Sequence, residues 1–386
     1  MTALSDTLLT QAAETFGTPL YLYNLDKVVA QVAALRDVLP DATLLYAVKA
    51  NPNGAVLKTL AALSLGAEVI TLGELARAVR AGIPPKRILL GGPRQDADLI
   101  RQAVMLGVGR VSLDSVSQWR VWREVDAPSM RFLPRVNPGL DPRTHEHLAT
   151  GAATSKFGMT PPEAAEVAEE VAAQGRLAGF HVHAGSQISE LDVYDEIFSV
   201  LGPLYDRFEE SEELDIGGGF VVPGFGLVGF AEKVAGFAER HSLKVTVEPG
   251  RFLVAEAGVL LSRVLHVKGG ALNHVIADAG MADLLRPALY GAAHPIRAVG
   301  KTGTGFTADV DGPLCENADR LGQTRHLPEV VPGDLLVVEQ AGAYGFAMAS
   351  NYASSLRPAE AVLQSGNLRL VRKRETVEDL LRLELD

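Results

Sequence analysis

From about residue 27 to residue 258 the chain alternates two patterns. Short apolar or β-branched runs alternate with longer Ala/Leu/Glu-rich stretches whose apolar positions recur at helical spacing. The runs that predict strands are Leu44–Asn51, Ala67–Glu74, Arg87–Pro93, Arg110–Ser115, Arg131–Pro138, Ala178–Gln187, Glu213–Phe220 and Lys244–Arg251. The stretches that predict helices include Asp26–Val38, Ala55–Ser64, Asp96–Leu106, Pro161–Gln174, Leu191–Phe208 and Gly229–His241. Eight strands separated by helices is the count of a closed parallel (β/α)8 barrel of the TIM type. An open doubly wound sheet is the alternative. It is disfavoured because no nucleotide-binding glycine fingerprint follows the first run.

After Gly258 the rhythm changes. Leu260–Val267, His274–Asp278, Gly333–Gln340 and Asn367–Arg372 predict strands with turn residues between them and few helices, so a second, mostly β domain is expected. The strand-like segment Pro19–Leu25 precedes the barrel and is expected to pair with that domain. The predicted organisation is an N-terminal segment 1–25 joining the β domain, a barrel over 26–258 and a C-terminal β domain over 259–386.

Composition narrows the function more than the fold. The length of 386 residues exceeds one ordinary core, and 47% hydrophobic with 22% charged residues is ordinary globular usage. A net charge of -11 without any Lys/Arg run argues against nucleic acid as a partner. No apolar stretch reaches the roughly 18 residues of a membrane helix. The N-terminal residues show neither a basic nor an apolar signal region, so no membrane anchor or signal peptide is expected. The single cysteine, Cys315, excludes an internal disulfide and fits a reducing cytoplasm.

In a parallel barrel functional residues gather at the C-terminal ends of strands, and polar groups cluster at those ends here. Lys49 closes the first run in YAVKAN, and His183, Ser186 and Gln187 end the sixth in HVHAGSQ. Gly217, Gly218 and Gly219 end the seventh in DIGGGF; Glu248, Gly250 and Arg251 end the eighth in EPGR. Each has a bland reading. A strand-end lysine is usually just solvated, a glycine run is most often a turn, and Glu248 pairs with Arg251. His183 and His181 are expected to point one into the barrel layers and one away, with a satisfied core histidine as the bland reading. The functional readings are a partly desolvated amine suited to Schiff-base formation, consecutive N–H groups that hold a phosphate, and a carboxylate facing a pyridinium nitrogen. In the β domain, Arg286 and Tyr290 in RPALY suit a substrate carboxylate. Cys315 and Glu316 lie in GPLCENAD, and Tyr344 lies between Gly342 and Gly345. No metal site is expected.

Taken in order from about residue 19 to 363, YAVKANPN, SKFG, HVHAGSQI, DIGGGF, EPGRFLVAEAG, DLLRPALY, GPLCENAD and GAYGFAMASNY resemble the diaminopimelate decarboxylases, of the fold-type III pyridoxal-phosphate enzymes. The resemblance implies a pyridoxal 5'-phosphate cofactor, decarboxylation of meso-diaminopimelate to L-lysine, and a homodimer with shared active sites. It assigns Lys49 as the Schiff-base lysine, His183 to the face of the cofactor ring and Glu248 to its nitrogen. Ser186, Gly218, Gly219, the Gly250–Arg251 backbone and Tyr344 go to the phosphate, and Arg251, Arg286, Tyr290 and Tyr344 to the substrate. Across the dimer, Glu316 would meet the distal amino group and Cys315 would be the proton donor. Ala67-Glu68 stands where the family more often has an aspartate. A sister decarboxylase acting on lysine or ornithine is the nearest alternative. A racemase on the same scaffold is disfavoured by Glu248, because such racemases typically place an arginine at the ring nitrogen. A non-catalytic regulatory homologue is disfavoured by the retained Lys49 and Cys315.

Overall fold

The computed structural model describes residues 4–140 and 154–385, which include every candidate residue named above. The chain divides into two compact units, Gln31–Phe252 and Met1–Ala30 with Leu253–Asp386. Helix α1 (Asp6–Phe16), strand β1 (Leu20–Asn24) and helix α2 (Leu25–Val38) open the chain. The eight strands that follow are β2 (Thr43–Ala47), β3 (Gly66–Val69), β4 (Ile88–Leu90), β5 (Arg110–Leu113), β6 (Arg131–Val136), β7 (Gly179–Val182), β8 (Glu213–Asp215) and β9 (Lys244–Val247). They form a closed parallel barrel in chain order, sealed where β9 pairs with β2 through Thr43↔Thr246 and Leu44↔Val247. The ring is closed, which removes the open-sheet alternative.

Every barrel strand is shorter than the apolar run that predicted it, because the chain leaves the sheet at the rim while staying buried. Val48–Ala50 is a 3-10 turn, for example, and Val48 and Ala50 are buried. The intervening helices are α3 (Gly54–Ala62), α4 (Leu72–Arg80), α5 (Ala97–Leu106), α6 (Val116–Trp122), α7 (Pro161–Ala173), α8 (Val193–Arg207) and α9 (Leu227–His241). The connections into α3–α7 end in N-caps: Asn53, Thr71, Asp96 and Ser115 each accept a first-turn N–H, and Thr160 forms a reciprocal capping box with Glu163. Each cap contributes about 1 kcal/mol and fixes where its loop stops.

Inside the barrel, Leu45, Leu89 and Leu133 come from alternate strands β2, β4 and β6 and form an apolar cluster with Ala178. Farther toward the strand ends the buried positions turn polar: Glu68, Ser112, Arg135, His181, Asp215 and Glu248. That change of polarity is what positions a site.

The second unit is a sheet. After the short helix α10 (Arg251–Val254) come β10 (Gly258–Lys268), β11 (Asn273–Ala277), α11 (Arg286–Tyr290), β12 (Ile296–Ala298), β13 (Phe306–Asp311) and β14 (Arg320–Leu327). Then follow β15 (Leu335–Val338), β16 (Ala359–Gln364), β17 (Asn367–Arg372) and α12 (Val377–Leu381). The strand order is β14-β13-β11-β10-β1-β16-β17, with β15 bridging β10 and β12. β1 lies inside this sheet, antiparallel to β10 (Leu20↔Leu261) and parallel to β16 (Leu20↔Ala359). Its two faces differ. Leu20 and Leu22 pack with Leu9, Ala12 and Ala13 of α1 and with Val259, Leu261 and Val337. Tyr21 and Tyr23 are also buried but donate their hydroxyls to Asp283 O and Glu360 Oε1, both at 2.8 Å.

Candidate active site

Lys49 lies two residues past the end of β2 in the 3-10 turn. Its Nζ is 2.8 Å from Oε2 of Glu68 on β3. Desolvation of the amine is only partial, since the side chain of Lys49 is 36% exposed against 6% for Glu68. What defines the amine's surroundings is therefore an ion pair more than an apolar sleeve. Glu68 was legible only as a departure from the aspartate usual in the family; here it is the partner of the candidate catalytic lysine. A second carboxyl, Glu74, accepts the N–H of Ile70 at 2.8 Å. Burial, with the nearby charge of Glu68, pushes its pKa up to about 7.

Glu248 follows β9 and is buried. It does not form the surface pair with Arg251 that was its bland reading. Close to it lie His181 on β7, whose Nε2 is 3.7 Å from Oε1, and Asp215 on β8. At 3.7 Å the imidazole is too far for a hydrogen bond. It is also neutral: burial first, then the charges of Arg135, His183 and Lys49, hold its pKa well below the usual range. Among the described residues, Glu248 Oε1 and Asp215 Oδ2 find no donor and His181 Nε2 no hydrogen-bond partner, and all three atoms are buried. Burial, with the charge of Glu68, pushes Glu248 up to about 7.

The glycine turn after β8 is held rather than loose. Gly217 donates its N–H to Asp215 Oδ1 at 2.9 Å, and Gly218 donates to His183 Nδ1 at 3.1 Å. The latter bond makes His183 Nδ1 an acceptor, consistent with a neutral ring whose pKa burial holds well below the usual range. A Cβ at Gly218 would sit 2.2 Å from the carbonyl oxygen of Glu248, and one at Gly219, where φ is +95°, would sit 2.2 Å from that of Gly185. No side chain fits either position, which brings the strand ends close together. Opposite, Arg251 Nη2 reaches Ser186 Oγ at 3.3 Å. Gly250 is packed against Ala47 and Ala50, which flank Lys49.

Lys49, His183, Ser186, Gly218, Gly219, Glu248, Gly250 and Arg251 thus all sit at the C-terminal end of the barrel strands. A lysine at the rim, a glycine turn that excludes side chains and a buried carboxylate oxygen facing no donor fit pyridoxal phosphate, whose ring nitrogen needs such an acceptor. The arrangement also contains residues that the pattern did not single out: Glu68, His181 and Asp215, with Arg135 donating to Asp114 at 3.1 Å. A two-residue spacing puts strand residues on one face, so the expectation that His181 and His183 point opposite ways does not follow from it; Asp215 likewise precedes Gly217 by two.

The remaining candidates lie in the sheet unit. Arg286 opens α11, is buried, and reaches His294 Nε2 at 3.0 Å; His294 in turn bonds the carbonyl of Glu339 at 2.9 Å. Tyr290, at the other end of α11, is 65% exposed. Tyr344 adopts a positive φ of 57° in the loop after β15. Cys315 and Glu316 are both exposed, between β13 and β14.

A family model for the pyridoxal-binding domain of pyridoxal-dependent decarboxylases matches residues 25–255. The chain is 38% identical over 388 residues to the diaminopimelate decarboxylase of Deinococcus radiodurans, covering 99% of this chain and 100% of that one. It is 36% identical over 406 residues to the diaminopimelate decarboxylase of Zymomonas mobilis, covering 99% and 96%. Among solved structures, diaminopimelate decarboxylase from Helicobacter pylori complexed with L-lysine matches with a TM-score of 0.89 at 34% identity, over 97% of this chain and 98% of that one.

Proposed function

The chain belongs to the pyridoxal-dependent decarboxylases, among the diaminopimelate decarboxylases, and from that premise we propose that it converts meso-diaminopimelate to L-lysine and carbon dioxide with pyridoxal 5'-phosphate. The observation that carries the reading is the convergence of Lys49, the Gly217–Gly219 turn and buried Glu248 at one end of one barrel. When bound, the cofactor supplies an electron sink for the pair left behind by the departing carboxylate. The protein supplies the rest. Lys49 Nζ anchors the cofactor, and Glu68 Oε2 orients that amine and accepts a proton from it. Glu248 would hold the ring nitrogen, and His183, whose Nδ1 accepts the N–H of Gly218, would support the ring. Ser186, Gly219, Gly250, Arg251 and Tyr344 would hold the phosphate. Arg251, Arg286, Tyr290 and Tyr344 receive the substrate, and the His294 contact keeps the Arg286 guanidinium in a fixed orientation.

The reading extends to a cytoplasmic homodimer. Exposed Cys315 and Glu316 support it, as does the apolar surface of Leu289 and Tyr290, 54% and 65% exposed. In that assembly Glu316 meets the distal amino group of the substrate, and Cys315 Sγ delivers a proton to the carbon that has lost its carboxylate. Among the described residues no helix is long and apolar enough to cross a membrane.

The test is carbon dioxide release from meso-diaminopimelate, lysine and ornithine, each supplied to the purified protein. Diaminopimelate is expected to be strongly preferred, and Lys49→Ala is expected to lower the rate by on the order of 10⁴-fold or more. Preference for lysine or ornithine overturns the substrate; full activity in Lys49→Ala overturns the covalent role.

A further inference from the structure

Behind Glu248 the barrel holds two titratable side chains that no role above uses. Asp215 is 0% exposed; its Oδ1 accepts the N–H of Gly217, and its Oδ2 finds no donor among the described residues. One ligand-type atom each of His181, Asp215 and Glu248 lies within 4.8 Å of the others. On the far side, Ser112 Oγ is 2.6 Å from His181 Nδ1. Two buried carboxyls this close do not both ionise, so the pair holds a proton at neutral pH.

We propose that Asp215 carries that proton and acts as a neutral hydrogen-bond donor, a positioning residue that aims a singly charged Glu248 at the cofactor's ring nitrogen. The surroundings decide which carboxyl is protonated. Asp215 faces Glu248 and Glu213, and the cation that acts on it, Arg110, is already engaged with Glu213 at 2.8 Å. Glu248 faces one anion, Glu68, but two cations, Lys49 and Arg135. Burial and the charge of Glu248 accordingly push Asp215 well above the usual carboxylate range. His181 is neutral and brings no charge to the pair. The ring-nitrogen part of this assignment rests on the decarboxylase reading; the shared proton does not.

Asparagine reproduces a protonated aspartic acid: it keeps an oxygen for Gly217 and donates from its amide. Alanine does neither. The first measurement is infrared absorption of the full-length protein near neutral pH, stripped of cofactor and reloaded. A protonated-carboxyl C=O band is expected in the difference spectrum between wild type and Asp215→Asn. The difference is needed because Glu74 and Asp283 also have pKa values pushed up to about 7. The second is the dissociation constant for pyridoxal phosphate. Asp215→Ala is expected to weaken it by about 10- to 100-fold, the effect of leaving a buried group unpaired, and Asp215→Asn to recover most of that loss. Absence of the difference band, or an Asn variant as weak as Ala, overturns the proposal. A wild type that shows the band but binds no cofactor overturns the decarboxylase reading and leaves the shared proton standing.

Discussion

The two units each contain a histidine and two acids whose ligand atoms lie within 4.8 Å of one another: His181, Asp215 and Glu248 in the barrel, His274, Asp309 and Asp311 in the sheet. In the sheet an arginine stands among them. Arg320 reaches Asp311 Oδ1 at 2.7 Å and Asp309 Oδ2 at 3.2 Å. His274 Nδ1 is 2.7 Å from Asp311 Oδ2, and the N–H of Thr324 is 2.7 Å from Asp309 Oδ1. All four carboxylate oxygens have donors. In the barrel, among the described residues, no arginine bonds any of the three, three buried atoms lack a donor or acceptor, and the ionisation of every member is displaced. The same residue types make a structural cluster where an arginine bonds both acids, and a group of displaced ionisation where none does.

The largest effect expected from this contrast is on catalysis. On the proposed assignment of Glu248 to the ring nitrogen, Glu248→Gln should lower kcat by about 10²- to 10³-fold, without a loss of stability in urea unfolding. If stability falls together with activity, the barrel cluster is as structural as the other and the contrast is broken. Next is Arg320→Met, which leaves two acids in the sheet without their cation. It should cost about 2–3 kcal/mol of unfolding free energy while kcat is retained; the guanidinium side chain is 26% exposed, so the effect falls short of a fully buried pair. A stable Arg320→Met variant with lost activity would invert the comparison.

The smallest effect sharpens it through pH. Glu248 has a folded pKa of about 7, above its unfolded value, so its contribution to stability is fully present below about pH 4.5 and is lost as pH rises through 7. Partly buried Glu375 in the sheet unit is the reverse. Burial alone would raise it, but bonds from the Arg357 side chain and N–H and from Asn351 hold it at about 2. Its contribution is present above about pH 4.5 and is lost as pH falls toward 2. Urea unfolding of cofactor-free protein at pH 3, 5 and 8 should show Glu248→Gln gaining on wild type as pH rises. Glu375→Gln should trail wild type at pH 8 and approach it at pH 3, each difference on the order of 1–2 kcal/mol. Parallel trends in the two variants would remove the distinction.

The barrel strands were legible because each is a short apolar run flanked by helical spacing. Their ends were not, since residues such as Val48 and Ala50 remain buried after leaving the sheet. Helix α4 was missed because its first turn, Leu72–Glu74, continues the apolar run of β3, and the cap that separates them is a single threonine, Thr71. Strands β13 and β14 were missed because half-exposed sequences such as RLGQTRHL lack any apolar run. In the site, Lys49, the glycine turn and Glu248 were visible as rim residues. Glu68, His181 and Asp215 were not, because an acid or histidine inside an apolar run gives no sign of its partner until the strands close into a ring.

The position of β1 has a consequence in time. It is bonded along one edge to β10, which begins at Gly258, and along the other to β16, which begins at Ala359. At about 5–20 residues per second of synthesis, upwards of roughly ten seconds pass before the first of these exists, and longer before the second. The barrel strands, consecutive from Thr43 to Val247, have all their partners before then. The growing chain therefore completes its catalytic ring while a five-residue segment made near the start, LYLYN, still waits for both neighbours. That segment offers a nascent-chain chaperone a long interval in which to bind.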